Sequence, residues 1–269
     1  MSNKFYKTLK AIFALLRKPI LLNLVLSDNT EWKRYIEKKW GQINIKTVNP
    51  SPLFTDGIPV IRYTYYEGGS LDIDIAFLKA LARTIPGCRF FEIGTWMGQT
   101  ALNIAEVASE CYTLNLNESA MRSMGLDDKY IKKIGKYSVS NATIVHLKGD
   151  SATFDFSGLK RNFDLIFIDG EHHYDFVVND TKKVFSHLTH ESSVVVWHDV
   201  AIHPGSIRYE VLAGIFDALP SSEHCFLRYV DQTKCAIYSR KPLWDEPSAI
   251  EDCTYSITIQ KELSRSIEQ

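Results

Sequence analysis

From Leu71 onward the sequence alternates between helix-like and strand-like segments, and this alternation constrains the fold more than any other feature. Two strand-like segments, 164–168 and 193–197, are almost continuously apolar, which is typical of parallel strands covered on both faces. The alternation therefore predicts an α/β protein with a doubly wound, mostly parallel sheet. We expect seven strands, the last two forming an antiparallel edge: 88–93, 111–116, 143–147, 164–168, 193–197, 225–230 and 234–239.

The chain before this alternation has a different character. We predict a helical extension and connector over residues 1–70, the ligand-binding domain over 71–240, and a tail over 241–269. In the first helix, apolar residues recur at helical spacing between lysines: Phe5, Leu9, Ile12, Phe13 and Leu16. Such a helix is too short and too charged to span a bilayer. It either forms a peripheral membrane contact through residues 1–26, or packs on the domain or on a second subunit of a homo-oligomer.

Charge and cysteine usage restrict the class of protein. A net charge of −1 and an isoelectric point near 6.7 argue against a dedicated nucleic-acid binder, which usually carries a basic excess. The five cysteines are scattered without a Cys-x-x-Cys pair, which favours free thiols in a reducing, cytoplasmic compartment.

The stretch from Phe90 to Thr100 joins an apolar strand to a helix through a glycine-containing turn. Gly94 and Gly98 permit close approach of the backbone to a ligand, and the helix N-terminus offers free N–H groups. Glu92 precedes the turn, and its carboxylate suits a cationic or hydroxyl-rich ligand better than a pyrophosphate. A dinucleotide-binding turn would also need Gly-x-Gly-x-x-Gly, and the middle glycine is missing here. The alternative is an ordinary strand-to-helix turn.

Polar side chains follow the two apolar strands where each strand ends. Asp169 follows the fourth predicted strand, and His198 and Asp199 follow the fifth. The carboxyl ends of parallel strands meet at one edge of a sheet, where ligands bind. Two carboxylates and an imidazole suit a divalent cation such as Mg²⁺. The alternative is a hydrogen-bonded His-Asp pair that closes the sheet. His172 lies three residues after Asp169, where a histidine can act as a general base at neutral pH.

These motifs together resemble those of a known family. The acid-x-Gly-x-x-x-Gly run resembles the first motif of class I S-adenosylmethionine (SAM) methyltransferases. Ile-Asp-Gly-x-His-x-Tyr, from Ile168, and the later His-Asp-Val resemble the methyltransferase family numbered 24, which includes macrolide sugar O-methyltransferase-like and cephalosporin hydroxylase-like proteins. The layout is also similar to that of catechol and caffeoyl-CoA O-methyltransferases, and it implies a Rossmann-like fold.

The resemblance assigns roles to residues of this chain. It implies a methionine-end pocket around the glycine turn, a ribose contact at Asn115 where the family has an acid, and an adenine contact at Asp150 and Ser151. The cofactor residues are then Glu92, Gly94, Thr95, Gly98, Asn115, Asp150, Ser151 and Asp169. It also implies Mg²⁺ ligands at Asp169, His198 and Asp199, although the better-known members have an acidic or Asp-Asn pair at the last two positions. His172 stands where the catechol enzyme has its catalytic lysine.

We therefore expect a SAM-dependent, Mg²⁺-assisted O-methyltransferase that acts on a small-molecule, sugar or glycan-like acceptor. Two alternatives stay open. One is a hydroxylase or NAD-linked oxidoreductase on the same fold, and the other is a non-catalytic module that uses its basic N-terminal helix to bind a membrane or a partner.

Overall fold

The structure, a computed structural model, describes residues 2–17, 29–54, 56–63, 69–203, 205–244, 255–256 and 258. Residues 18–26 of the predicted membrane contact, and most of the predicted tail at 241–269, lie outside these ranges. Within the described ranges, no helix is both long and apolar enough to cross a membrane.

A central sheet of eight strands forms the middle layer, in the order β4-β3-β2-β5-β6-β10-β9-β1. Strands β4 to β6 are mutually parallel along this order, and β10 runs antiparallel to both of its neighbours. The strands are β1 (Lys46–Val48), β2 (Arg89–Ile93), β3 (Glu110–Asn115), β4 (Ile144–Lys148), β5 (Leu165–Ile168), β6 (Val194–Trp197), β9 (Leu227–Val230) and β10 (Ala236–Tyr238). Strands β7 (Ala201–His203) and β8 (Ser206–Ile207) pair separately. The predicted doubly wound fold and its antiparallel edge are confirmed, and the seven predicted strands are all present in this eight-stranded sheet.

Helices cover both faces of this sheet, because its strands present apolar side chains on alternate sides. The helices are α1 (Ser2–Arg17), α2 (Asn29–Trp40), α3 (Asp72–Thr84), α4 (Gln99–Ile104), α5 (Glu118–Ser123), α6 (Asp128–Ile131), α7 (Tyr174–His187) and α8 (Tyr209–Ala218). One core joins the sheet to α2, α7 and α8, and the other joins its opposite face to α3 and α4. Short 3₁₀ turns lie at Ser51–Phe54, Phe156–Leu159 and Ser221–Phe226.

The N-terminal segment is more closely joined to the sheet than its sequence indicated. Strand β1, which sequence reasoning did not predict, pairs in parallel with β9 and extends the sheet by one strand. Helix α2 packs on α8: the Asn29 side chain donates to the carbonyl of Ile207 over 2.8 Å and accepts from the Tyr209 amide over 2.7 Å. Ile36 of this helix is fully buried. The extension therefore forms part of the fold.

The strand order fixes where a ligand can bind. From β2 the chain runs to β3 and β4 on one side, then returns to place β5 and β6 on the other side. In such sheets the crevice lies outside the carboxyl ends of the strands where the order reverses. Here that point lies between β2 and β5, where Ile93 is paired with Ile168. The predicted site residues after these two strands therefore lie side by side.

Candidate functional site

The glycine turn after β2 is shaped by close packing against neighbouring backbone. Gly94 has φ +96°, and a Cβ placed on it would lie 2.0 Å from the carbonyl oxygen of Asp169. Gly98, with φ +79°, begins helix α4, and a Cβ there would lie 1.9 Å from the hydroxyl of Ser138. Both positions require glycine. Gly94 lets the turn lie against the loop after β5, whereas Gly98 makes room for the segment around Ser138.

Glu92 is a buried carboxylate beneath this turn, with 1% of its surface exposed. It accepts a hydrogen bond from the Thr113 hydroxyl over 2.7 Å, and that hydroxyl lies 2.6 Å from the hydroxyl of Thr95. Burial raises the pKa of Glu92 well above its ordinary value, because no cation compensates the charge and Asp169 adds a second negative charge nearby. A positively charged ligand group beside Glu92 would restore its ionised form.

A small cavity opens above Glu92. Four of the predicted cofactor residues, Glu92, Gly94, Thr95 and Asp169, line it. Its other lining residues are Gly69, Ser70, Ile75, Trp96, Met97, Gln99 and Thr100. Gly98, Asn115, Asp150 and Ser151 do not line it. The structure thus brings together Glu92 and Gly94, two of the residues predicted for the methionine end of the cofactor, whereas Gly98 lies against Ser138.

The residues predicted for the ribose and adenine are engaged in local bonds. The Asn115 carbonyl oxygen accepts from the Thr95 amide over 3.2 Å, so Asn115 supports the turn. Asp150 accepts from the Ala152 amide over 2.8 Å, as an Asp in a turn commonly does. The Ser151 side chain bonds to the buried carboxylate of Asp180. The contacts of Asn115, Asp150 and Ser151 with a cofactor stay predictions.

A second cluster lies at the ends of β5 and β6. The ligand atoms of Asp169, His198 and Asp199 all lie within 4.8 Å of one another. His198 Nδ1 is 2.9 Å from Asp169 Oδ1 and 3.6 Å from Asp199 Oδ2, yet it makes no well-aligned hydrogen bond with a described residue. On the other side of the ring, His198 Nε2 lies 2.9 Å from Asp74 Oδ2. One nitrogen of a buried imidazole is therefore satisfied, and the other faces two carboxylates.

Asp74 was not among the predicted site residues, although it is fully buried behind His198. It lies in the first turn of α3, where it accepts from the Leu71 amide over 3.0 Å, and it also accepts from the Lys234 amide over 3.0 Å. With two backbone donors on its carboxylate, Asp74 suits a third donor at His198 Nε2. That bond would leave Nδ1 of a neutral ring as a lone pair facing Asp169 and Asp199. Metal-binding histidines almost always donate their other ring N–H to a carboxylate, a backbone carbonyl or water, and Asp74 can serve as such a partner.

The charges of this cluster shift its pKa values. Burial alone would lower the pKa of His198, but the surrounding carboxylates, Asp169 first among them, raise it well above its ordinary value. Without a cation the ring is therefore protonated, and a cation at Nδ1 would displace that proton and leave the neutral ring described above. Burial raises the pKa of Asp169 more than His198 and Ser70 lower it. Burial also acts to raise the pKa of Asp199, but the bond to His198 and the charge of Lys234 bring it below its ordinary value. The cluster carries more carboxylate than cation, which is an arrangement that a divalent ion would balance.

Two residues from other parts of the chain contact the carboxylates of this cluster. Ser70 donates its hydroxyl to Asp169 Oδ2 over 3.0 Å, and Lys234 Nζ lies 3.3 Å from Asp199 Oδ1. Asp199 itself has φ +54°, which is uncommon for a residue other than glycine and is tolerated best by Asn and Asp. Neither Ser70 nor Lys234 belongs to a motif, so no sequence signal indicated their position in the site.

The loop after Asp169 places His172 beside the same cluster. His172 Nδ1 lies 3.8 Å from Asp199 Oδ2. Burial lowers the pKa of His172, the charge of Arg208 lowers it further, and Asp199 partly opposes both. The ring is thus neutral and able to accept a proton near pH 7. Tyr174, by contrast, stacks on Trp32 with ring centroids 4.9 Å apart and donates its hydroxyl to Asp217 over 2.6 Å.

The model of a family described as a methyltransferase domain matches residues 91–200, a range that includes the glycine turn, Asp169, His172, His198 and Asp199. The resemblance inferred from the motifs is thereby confirmed. Among curated proteins, none matches the sequence.

Several solved structures are similar in part. One is the S-adenosylhomocysteine (SAH)-bound methyltransferase PaMTH1 of Podospora anserina, with 18% identity over 79% of this chain and 95% of that one, at a TM-score of 0.46. Another is an O-methyltransferase from Bacillus cereus in complex with SAH, with 14% identity over 79% and 100% of the two chains, at a TM-score of 0.43. A third is the SAM-bound amino pentose methyltransferase CalS10 of Micromonospora echinaspora, with 17% identity over 51% and 58%, at a TM-score of 0.35.

Proposed function

We propose that this class I SAM-dependent methyltransferase transfers a methyl group to a hydroxyl oxygen of a small, sugar-like acceptor, and that a divalent cation assists the transfer. The observation that carries the proposal is the buried His198, whose Nε2 is bound to Asp74 while its Nδ1 faces Asp169 and Asp199. This cluster lies beside the cavity that the predicted cofactor residues line, and Asp169 belongs to both.

The donor side of the site would hold the methionine end of SAM. Glu92 lies at the base of the cavity, and its buried carboxylate suits the ammonium group of the cofactor. When SAM is bound, its sulfonium supplies an already activated methyl group. What the chain contributes is then mainly position, because holding the reacting atoms in line can supply most of the rate.

The side chains at the ends of β5 and β6 have the chemistry that a divalent cation requires. Asp169, His198 and Asp199 would be its ligands, and Asp74 would fix the tautomer of His198. The two carboxylates suit Mg²⁺, as expected from the sequence, while the imidazole extends the choice to ions such as Mn²⁺. A cation held there would act as a Lewis acid and lower the pKa of the acceptor hydroxyl.

His172 would accept the proton that the acceptor hydroxyl loses. Its lowered pKa keeps the ring neutral at physiological pH, and its distance of 3.8 Å from Asp199 places it at the margin of the cation site. For the acceptor, support comes from the resemblance to macrolide sugar O-methyltransferase-like proteins and from the polar character of the cluster. Vicinal hydroxyls of a sugar or a phenol fit such a site.

The cation site can be tested without knowing the acceptor. Binding of Mn²⁺ to the protein can be followed by electron paramagnetic resonance, with Mg²⁺ as competitor. We expect Asp169→Asn to weaken Mn²⁺ binding by at least tenfold, and the exposed Asp175→Asn, in the first turn of α7, to leave it unchanged. Equal Mn²⁺ affinity in Asp169→Asn and the unchanged protein would exclude these ligands.

The reaction is tested by a screen of sugars and phenols for SAM turnover, with Mg²⁺, with Mn²⁺ and with excess EDTA. We expect turnover of a hydroxylated acceptor that EDTA abolishes and added cation restores. Calorimetric titration of SAM and NAD serves as the control for enzyme class. Binding of NAD without binding of SAM would contradict the proposal, and full turnover in EDTA would contradict its cation.

A further inference from the structure

Helix α1 presents an apolar face that the described residues leave uncovered. Phe5 is 72% exposed, Leu9 51%, Phe13 58% and Leu16 76%. These side chains, with Ile12, recur at intervals of three and four residues and so form one stripe along the helix. A stripe of large apolar side chains in water is unfavourable unless something covers it. We therefore expect a surface of matching chemistry to cover α1.

The charges of α1 indicate the chemistry of that surface. Lys4, Lys7, Lys10 and Arg17 lie on this helix, and the first 27 residues of the chain contain no Asp or Glu. The chain as a whole has 31 basic and 32 acidic residues, so this concentration of positive charge is local. All the charged side chains of the helix that carries the apolar stripe are thus basic, as in helices that lie at the surface of anionic membranes.

The basic groups also flank the apolar face. The Lys10 ammonium lies 5.0 Å from the ring centroid of Tyr6, and the Arg17 guanidinium lies 4.7 Å from that of Phe13. Long basic side chains at the border of an apolar face can reach lipid phosphates while the rings enter the acyl region. Aromatic side chains such as Tyr6 are also favourable at the boundary between water and lipid.

We propose that α1 lies in the plane of an anionic phospholipid bilayer, with the stripe of Phe5, Leu9, Ile12, Phe13 and Leu16 inserted and its basic residues at the lipid headgroups. A second copy of α1 is less suitable as the occupant, because two such helices would bring only like charges together. The inference does not depend on the proposed methyl transfer.

The test is flotation of the full chain with vesicles, either of phosphatidylcholine alone or with about a third of the lipid as phosphatidylglycerol. We expect binding to the anionic vesicles that falls steeply as salt is raised, and weak binding to the neutral ones. Because each basic residue near such a surface contributes about 1 kcal/mol, changing Lys4, Lys7 and Lys10 together to Gln should lower the partition coefficient about 100-fold.

Two further variants separate the helix from the net charge. Leu9→Ser with Phe13→Ser should lower binding at least tenfold while the basic residues are intact. Changing Lys38, Lys129 and Lys132 to Gln removes the same charge from exposed positions outside α1, and we expect little effect. All are surface changes, and an unaltered SAM affinity checks that the domain is folded.

Three results would overturn the proposal: no binding to anionic vesicles, equal loss in the control triple variant, or equal binding to neutral vesicles. Light scattering tests whether a second copy of the chain covers α1 instead of a membrane. If the unchanged chain is a dimer in solution and Leu9→Ser with Phe13→Ser makes it monomeric, a second copy covers α1 and the membrane proposal is wrong.

Discussion

Replacement of Asp217 by Asn should weaken the attachment of helix α2 to the domain, because this one carboxylate accepts several of the hydrogen bonds that join them. The Asp217 side chain, on α8, is 5% exposed. It accepts hydrogen bonds from Lys39 Nζ over 2.8 Å, from Trp40 Nε1 over 2.8 Å, from Tyr174 OH over 2.6 Å and from Tyr35 OH. Three of these four donors belong to α2.

The magnitude follows from the pKa of this carboxyl. Burial acts to raise it, but the bonds from Lys39 and the other donors outweigh burial and lower the pKa of Asp217 to about 2. A carboxyl whose pKa is about 4 when unfolded and about 2 when folded contributes about 2 to 3 kcal/mol near neutral pH. Asn keeps the shape but not the charge, so Asp217→Asn should lower the free energy of unfolding by about 2 kcal/mol at pH 7.

The lowered pKa of Asp217 also determines how its contribution to stability changes with pH. Because folding lowers the pKa of Asp217, its contribution is complete above about pH 5 and is lost as the pH falls through about 2. The difference between Asp217→Asn and the unchanged protein should therefore be constant from pH 8 to about pH 5 and about half as large near pH 3.

Urea unfolding followed by tryptophan fluorescence at several pH values measures this difference. The exposed Asp175→Asn is the matched control, and its effect should stay within about 0.5 kcal/mol at each pH. Hydrogen exchange over Asn29–Trp40 should become faster in Asp217→Asn alone. A loss below about 0.5 kcal/mol, or one that does not change between pH 7 and pH 3, would refute the reasoning.

Three further predictions concern the site. Gly94→Ala combines positive φ with a contact of 2.0 Å to a backbone oxygen and should destabilise by about 3 kcal/mol in urea; Gly125→Ala, with φ +84° and open space, should cost only about 1, and equal losses would show that the contact is unimportant. Asp74→Asn should weaken Mn²⁺ binding about 10- to 100-fold, unlike Asp72→Asn in the same turn, and unchanged affinity would remove Asp74 from the cation site. Because burial raises the pKa of Glu92 and an ammonium ligand needs its ionised form, SAM affinity by calorimetry should rise as the pH increases through this raised pKa; Glu92→Gln should abolish this slope, and a slope that persists would assign it to another group.

Much of the fold could be predicted because the signals are local. The apolar runs that became β5 and β6, and the strand, turn and helix from Arg89 to Ile104, are legible in a few consecutive residues. Strand β1 was missed, because three residues beside a proline-containing stretch carry too little pattern, and its pairing partner β9 lies about 180 residues further along.

The candidate site was predicted only in part. Asp169, His198 and Asp199 were expected to converge, since the carboxyl ends of neighbouring parallel strands meet by geometry. Asp74 was not expected, because its bond to His198 spans 124 positions and its place in a helix start already has an ordinary capping explanation. Both glycines of the turn were expected to allow close approach of a ligand. Gly98 is instead required by the close approach of Ser138.

The sequence by itself determined the order of the elements, the methyltransferase-type turn and the acidic and imidazole groups at the strand ends. These depend on periodicity and on neighbours in the chain. Only the tertiary structure decided that α2 is held by Asp217, that Asp74 orients His198, and that the cavity above Glu92 shares Asp169 with the second cluster. Each of these joins side chains from distant segments. Their distances, burial and pKa values exist only once the sheet has brought those segments together.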